Sequence, residues 1–293
     1  MSSLSITARL LAAFFWLLHL LPFQVLRGMG AALGSLLYLV AGRRRKIGLI
    51  NLKLCFPGWT DAERSKVLHA HFRLLATVAT CYGVLWFGSK KRVERLVRRE
   101  GYEHYLAVQD QSIILLAPHF IGLDYGGIRH TIDHWGASMY SASHQNPFDE
   151  LLLMGRSRFG QPLLIKRNDG IRAIVRALRQ NVLPFYYLPD QDLGPRESIF
   201  SPFFGIPAAT IPALSRLSSM GRAIVVPMIT RLEKDGFVTR YYPAWTDFPS
   251  GDVQADTDRM NRFIEDRVRE LPAQYYWMHR RFKTRPEGEA APY

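Results

Sequence analysis

Residues 113–124 read Ile-Ile-Leu-Leu-Ala-Pro-His-Phe-Ile-Gly-Leu-Asp. A short apolar run closes on Pro118 and His119, and a carboxylate, Asp124, follows five residues after the histidine. Inside one regular helix these two side chains would stand about 140° apart and could not meet. If a strand stops at Pro118 and a helix opens near Ile121, His119 falls in the strand-to-helix turn. Asp124 then lies in the first helical turn and is able to point back at the ring. An imidazole steadied by a carboxylate is suited to taking a proton from a hydroxyl. The bland alternative is a helix N-terminus beside a capped loop histidine, and the rest of the chain has to separate the two.

Outward from this stretch, apolar runs at 112–117, 136–142, 182–188 and 223–230 are expected as strands. Helical patterns fill 122–134, 148–159, 170–180, 210–220 and 254–271, with Asp169-Gly170 before the third and Pro212 just inside the fourth. The alternation predicts an α/β sheet with crossover helices, whose polar strand ends would gather a site at one edge. Upstream, Thr60-Asp61-Ala62-Glu63 is a capping box that opens a helix to about Leu85.

The first part of the chain has a different character. No acidic residue precedes Asp61, and residues 10–26 are strongly apolar. Residues 28–42 are rich in small side chains and end at Arg43-Arg44-Arg45-Lys46. The reading is a membrane-embedded segment over 10–42, either one span or a hairpin-like interfacial anchor, with the basic cluster holding the rest on the cytoplasmic side. Two buried core helices are the alternative. Gly28, Gly30 and Gly34 have the wrong spacing for a dinucleotide loop and fit close helix packing. Residues 1–46 are therefore expected as anchor and 47–293 as the working domain.

At 293 residues and 48% hydrophobic, the chain has material for a substantial core. A net charge of +13 fits an anionic partner: nucleic acid, a lipid surface or a phosphorylated substrate. Cys55 and Cys81 lie in apolar surroundings with no metal-like spacing and are expected as buried thiols.

Several chemistries fail on inspection. There is no Gly-x-Ser-x-Gly elbow, and Gln161 stands where a phosphate loop from Gly155 to Gly160 would need lysine. His130 and His134 have i, i+4 spacing but no glutamate after the first and no evident third ligand. A histidine–carboxylate base acting on a hydroxyl is the simplest chemistry left. Gly155-Arg156-Ser157-Arg158 places two guanidinium groups after a helix, where they could grip phosphate. Pro189-Asp190-Gln191-Asp192-Leu193-Gly194-Pro195 puts two carboxylates on a strand-end loop, or simply makes a capped turn.

Together with Trp277-Met278-His279-Arg280-Arg281-Phe282-Lys283-Thr284-Arg285-Pro286, these motifs resemble the late acyltransferases of lipid A biosynthesis, the lauroyl/myristoyl type. The likeness runs from the N-terminal anchor to the C-terminus. It departs where close relatives often carry glutamate at position 124 and histidine at position 191. The resemblance implies a glycerolipid-acyltransferase-like α/β sheet behind an N-terminal membrane-anchoring helical segment, at the cytoplasmic face of the bacterial inner membrane. It implies transfer of a fatty acyl chain from acyl carrier protein to a hydroxyacyl chain of a phosphorylated, Kdo-bearing lipid A precursor, with no metal or organic cofactor. His119 would be the base and Asp124 its orienter. Arg156 and Arg158 would hold phosphate or an oxyanion, and Asp190 and Asp192 would act on the substrate side. Open alternatives are a lysophospholipid or other glycolipid acceptor, and a membrane-surface binding protein. Nucleic-acid binding has only the net charge in its favour.

Overall fold

The computed structural model describes residues 4–140, 146–166, 170–180 and 183–293. Three helices open the chain, α1 (Ile6–His19), α2 (Phe23–Val40) and α3 (Gly42–Cys55), followed by α4 (Asp61–Phe87) and α5 (Lys90–Leu96). The alternating part runs β1 (Val97–Glu100), α6 (Glu103–Leu106), β2 (Ile113–Leu116), α7 (Leu123–Thr131), β3 (Ala137–Tyr140), α8 (Pro147–Arg156), β4 (Leu163–Lys166), α9 (Arg172–Arg179) and β5 (Phe185–Tyr187). A hairpin of β6 (Ile199–Phe203) and β7 (Ile206–Thr210) precedes α10 (Ala213–Gly221), β8 (Ile224–Glu233), β9 (Gly236–Tyr241) and α11 (Val253–Glu270). Asp169, expected before α9, lies outside the described residues, as do residues 141–142 and Val182 of the expected strands.

The main sheet has seven strands in the order β1-β9-β8-β2-β5-β3-β4. From β8 to β4 all neighbours are parallel; β9 runs antiparallel to β8, and β1 pairs parallel with β9. β2 sits in the middle and is buried throughout, which is why Ile113–Leu116 is a continuous apolar run rather than an alternating one. The connection from β2 through α7 to β3 moves across the sheet in the opposite sense to that from β4 through α9 to β5. Right-handed crossovers therefore place α7 and α9 on opposite faces. The α/β architecture with crossover helices behind apolar N-terminal helices is the one the sequence predicts.

The capping box forms as expected: the Glu63 backbone N–H donates to the Thr60 hydroxyl and the Glu63 carboxylate accepts from the Thr60 backbone N–H at 2.7 Å. Helix α4 then carries both parts of the molecule. Helices α1 and α2 pack along it through close backbone approaches. A Cβ on Gly30 would stand 2.4 Å from Thr77 Cα, and one on Gly34 equally close to Arg73 Cα. Gly30 and Gly34 are packing positions, as the spacing indicated, whereas a Cβ on Gly28 would meet nothing within 4 Å, so that glycine does not serve the packing expected of it. The division at residue 46 falls inside α3, which runs unbroken to Cys55. Pro212 caps α10 from outside rather than sitting within it, because residues 206–210 belong to β7. Cys55 and Cys81 are buried and unpaired.

Candidate active site

His119 projects from the turn between β2 and α7. Its ring does not meet Asp124. The Nδ1 atom lies 2.7 Å from Oδ1 of Asp190, and the His119 backbone N–H donates to both carboxylate oxygens at 3.1 and 3.0 Å. The expected His119–Asp124 pairing is thus corrected, and strand register gives the reason. β2 and β5 are parallel neighbours with Leu116 opposite Tyr187. His119 and Asp190 each stand three residues beyond those partners, so the parallel ladder carries them out side by side. The signal was present in the sequence: Leu116-Ala117-Pro118-His119 and Tyr187-Leu188-Pro189-Asp190 share one pattern, an apolar strand end, one residue, a proline and a polar group.

Asp190, expected on the substrate side, is buried beneath the ring, with a side chain 1% exposed. Burial alone would push its carboxyl up. The charge of His119, the hydrogen bonds from its ring and backbone, and nearby Arg281 outweigh that and hold it below the ordinary carboxylate range. Burial and the Asp190 carboxylate push the Tyr275 phenol up in turn. The turn itself is fixed on its other side by the C-terminal segment: the Tyr276 N–H donates to the His119 carbonyl at 3.0 Å, and the Ile121 N–H to Gln274 at 2.9 Å.

Asp124 lies in the first turn of α7, where a carboxylate suits the helix dipole. It accepts from Arg156 Nε at 3.0 Å, Arg156 Nη2 at 2.6 Å and the Tyr82 hydroxyl at 2.8 Å. The Asp124 carboxylate in turn holds the Arg156 guanidinium more firmly protonated, against the pull of burial. Arg156 arrives there at the end of α8, whose start is set by Asn146 capping Phe148 and by Pro147 in the first turn. Arg158, expected beside it as a second anion grip, instead donates to the Leu85 carbonyl at 2.9 Å and stacks over Phe159.

Asp192 makes the capped turn that was the bland reading of its loop. One oxygen accepts from Gly194 N–H at 2.9 Å and from the Thr284 hydroxyl at 2.8 Å, the other from Thr284 N–H at 2.8 Å. Its own N–H donates to His279 Nε2 at 2.9 Å. Sequence reasoning missed Tyr82, which reaches the site from α4, and gave no role of its own to His279, which it quoted only within the Trp277–Pro286 motif. Beside the Asp124–Arg156 pair opens a largely apolar pocket between α7 and strands β3–β5, lined by Leu115, Ile128, Ala137, Met139, Leu164 and Tyr186.

This is the arrangement for removing a proton: one imidazole nitrogen is held by a buried carboxylate and the other is left for a hydroxyl. The family model for bacterial lipid A biosynthesis acyltransferases matches residues 3–284. The chain belongs to that family. Like its other members, this lipid A biosynthesis acyltransferase is an enzyme that transfers acyl groups. It is 33% identical over 283 residues to the lipid A biosynthesis lauroyltransferase of Escherichia coli K12, covering 95% of this chain and 92% of that protein. It is 31% identical over 284 residues to the palmitoleoyltransferase of the same organism (95% and 91% covered) and 33% over 256 residues to its myristoyltransferase (85% and 78%). The solved 1-acyl-sn-glycerophosphate acyltransferase PlsC of Thermotoga maritima aligns with TM-score 0.40 and 14% identity, over 79% of this chain and 98% of that one.

Proposed function

We propose that this lipid A biosynthesis acyltransferase moves a fatty acyl chain from acyl carrier protein to a hydroxyacyl chain of a Kdo-bearing lipid A precursor at the cytoplasmic face of the inner membrane. The observation that carries the reading is the 2.7 Å contact between His119 Nδ1 and Asp190. Asp190 accepts the Nδ1 proton, so Nε2 is the basic nitrogen and takes the proton of the acceptor hydroxyl. Asp190 fixes the tautomer and stabilises the imidazolium that forms. Asp124, itself steadied by the Tyr82 hydroxyl, holds Arg156 by two of its nitrogens, leaving Nη1 for a substrate phosphate or carbonyl oxygen. The apolar pocket beside that pair would take the hydrocarbon chain. The relatives' names differ in acyl group (lauroyl, palmitoleoyl, myristoyl), so family membership leaves chain length open. A net charge of +13 suits an acidic carrier protein and an anionic glycolipid alike.

Residues 1–46 serve as the anchor in this reading. Most of the large hydrophobic side chains exposed on the molecule lie between Ile6 and Val40, and Arg43-Arg44-Arg45-Lys46 follows at once. The test is transfer of labelled acyl groups from acyl carrier protein to the Kdo-bearing precursor, in membranes carrying wild type or His119→Ala. Label on the precursor that disappears in the variant is the expected result, with a loss of about 10²–10⁴-fold or more for removing the base. Undiminished transfer by His119→Ala would remove the base from the mechanism. Labelling of a lysophospholipid instead would move the acceptor, and no transfer to either would leave a binding protein.

A further inference from the structure

The His119–Asp190 pair has a second histidine beside it that the mechanism above does not use. His279 Nε2 accepts the backbone N–H of Asp192 at 2.9 Å. A backbone amide can only donate, so Nε2 carries no proton and the ring hydrogen is on Nδ1. Among the described residues Nδ1 has no protein partner, and it is not among the buried unpartnered atoms. The loop that holds this ring is the loop that holds the base: Asp190 takes His119 by its carboxylate, and Asp192 takes His279 by its amide.

The ring is also rigidly placed. Asn51 donates to the carbonyls of Trp277 at 2.7 Å and His279 at 2.8 Å, and Asp192 grips Thr284 beyond it. Burial, followed by the charge of Arg281, pulls the His279 pKa down to about 4; Asp190 opposes this, and His119 and Lys283 reinforce it. At neutral pH His279 is therefore an uncharged donor, of the kind that polarises a carbonyl without competing for the proton held by the base.

We propose that the Nδ1–H of His279 donates to the carbonyl oxygen of the acyl thioester and stabilises the oxyanion formed on attack. The inference rests on the acyl-transfer reading above. In the step, His119 Nε2 takes the acceptor's hydroxyl proton as its oxygen bonds to the thioester carbon, and the carbonyl π pair moves onto the oxygen facing His279. That pair then returns, the C–S bond breaks, and the thiolate of the carrier leaves with the proton from His119. Arg156 gives two nitrogens to Asp124. Held by the Asp192 amide on the loop that also holds the base, His279 is a preorganised donor.

Two substitutions separate this role from a purely structural one. Asparagine places an amide N–H where Nδ1 stands and gives up the acceptor at Nε2; glutamine keeps an acceptor near Nε2 and gives up the Nδ1 donor. His279→Gln should lower kcat by about 10²–10³-fold, as removal of one oxyanion donor does, with acceptor KM and melting temperature close to wild type. His279→Asn should keep most of the activity. The reverse order, an active glutamine variant and a dead asparagine one, would make His279 a support for the Asp192 loop and overturn the proposal. A His279→Gln defect confined to acceptor KM would overturn it equally. A second readout does not depend on how the His279 variants fold. With ¹³C-labelled acyl carrier protein thioester bound to His119→Ala enzyme, the thioester carbonyl stretch should lie below its solution frequency, and an unshifted band contradicts the contact. If wild type transfers no acyl group from the carrier at all, the function reading fails rather than the assignment of His279.

Discussion

Replacing Asp190 by asparagine would keep the shape of the group beneath His119 and remove its charge. The imidazole could then settle in the wrong tautomer, and the imidazolium formed during transfer would lose its counter-charge. Asp190→Asn should therefore reduce kcat by about 10²–10⁴-fold with little effect on KM, read from initial rates with carrier-bound donor. The same substitution has a stability signature. A carboxyl held below its ordinary range in the folded state stabilises the fold above its unfolded pKa, and the contribution is lost as pH falls through the lower, folded value. Below about pH 4 the wild-type melting temperature should accordingly drop more steeply than that of Asp190→Asn; parallel curves would show that the pair adds no such linkage. At this scale the sequence pointed to His119 but not to the carboxylate that touches it. A residue five positions on is conspicuous in a string, whereas Asp190 reaches His119 only through the parallel pairing of β2 with β5. Asp190 rather than Asp124 meets the ring because register, not chain distance, decides which side chains meet at a sheet edge.

Among the elements, α8 shows how packing places a functional group. A Cβ on Gly155 would stand 2.2 Å from Trp86 Cδ1. Trp86 is itself wedged against Phe15 and Phe148, so the indole has no room to retreat. Gly155→Ala should push α8 away from α4 and draw Arg156 off Asp124, costing about 1–3 kcal/mol and lowering transfer. Ser157→Ala, on the exposed side two residues later, should leave both unchanged. Denaturant midpoints and transfer rates measured together check this, and an unaffected Gly155→Ala rate would detach Arg156 from catalysis. The elements legible in the sequence were those buried on both faces, such as β2, and those with explicit caps, such as α4 and α8. Edge strands were not legible. β1 is Val-Arg-Arg-Glu, which reads as part of a basic surface until β9 pairs with it. The β6–β7 hairpin hides behind Pro202 and Pro207, and its tight turn places Phe204 and Gly205 at φ 54° and 75°, a geometry that favours Asn-Gly rather than Phe-Gly.

The whole molecule is asymmetric in a way that neither residues nor elements reveal alone. Inner positions of α1 and α2 lie against α4, while Leu10, Phe14, Leu17, Leu33, Leu36 and Leu39 stay exposed on the other side. Cations flank this surface. Lys90, Lys91 and Arg95 of α5 are exposed near the α1–α2 turn, where Arg92 donates to the carbonyls of His19 and Leu21, and Arg43–Lys46 stands at the far end of α2. Helix α4 also has the length and hydropathy of a span, but 61% of its apolar window is buried in the protein, against 17% for α2. That contrast separates a core helix from one with an uncovered apolar stripe, and it makes α1 and α2 the helices to test for membrane contact. A charge placed in the stripe should then be costly only when lipid is the neighbour, at about 2.5–3.5 kcal/mol for each aspartate at the depth of the bilayer centre. Wild type should stay with membranes through high salt, because apolar burial is not screened. The double variant Leu33→Asp, Leu36→Asp should move into the soluble fraction with its melting temperature preserved, since neither side chain belongs to the buried core. Retention of that variant in the pellet would mean that the outer face of α2 is not what holds the enzyme to its membrane.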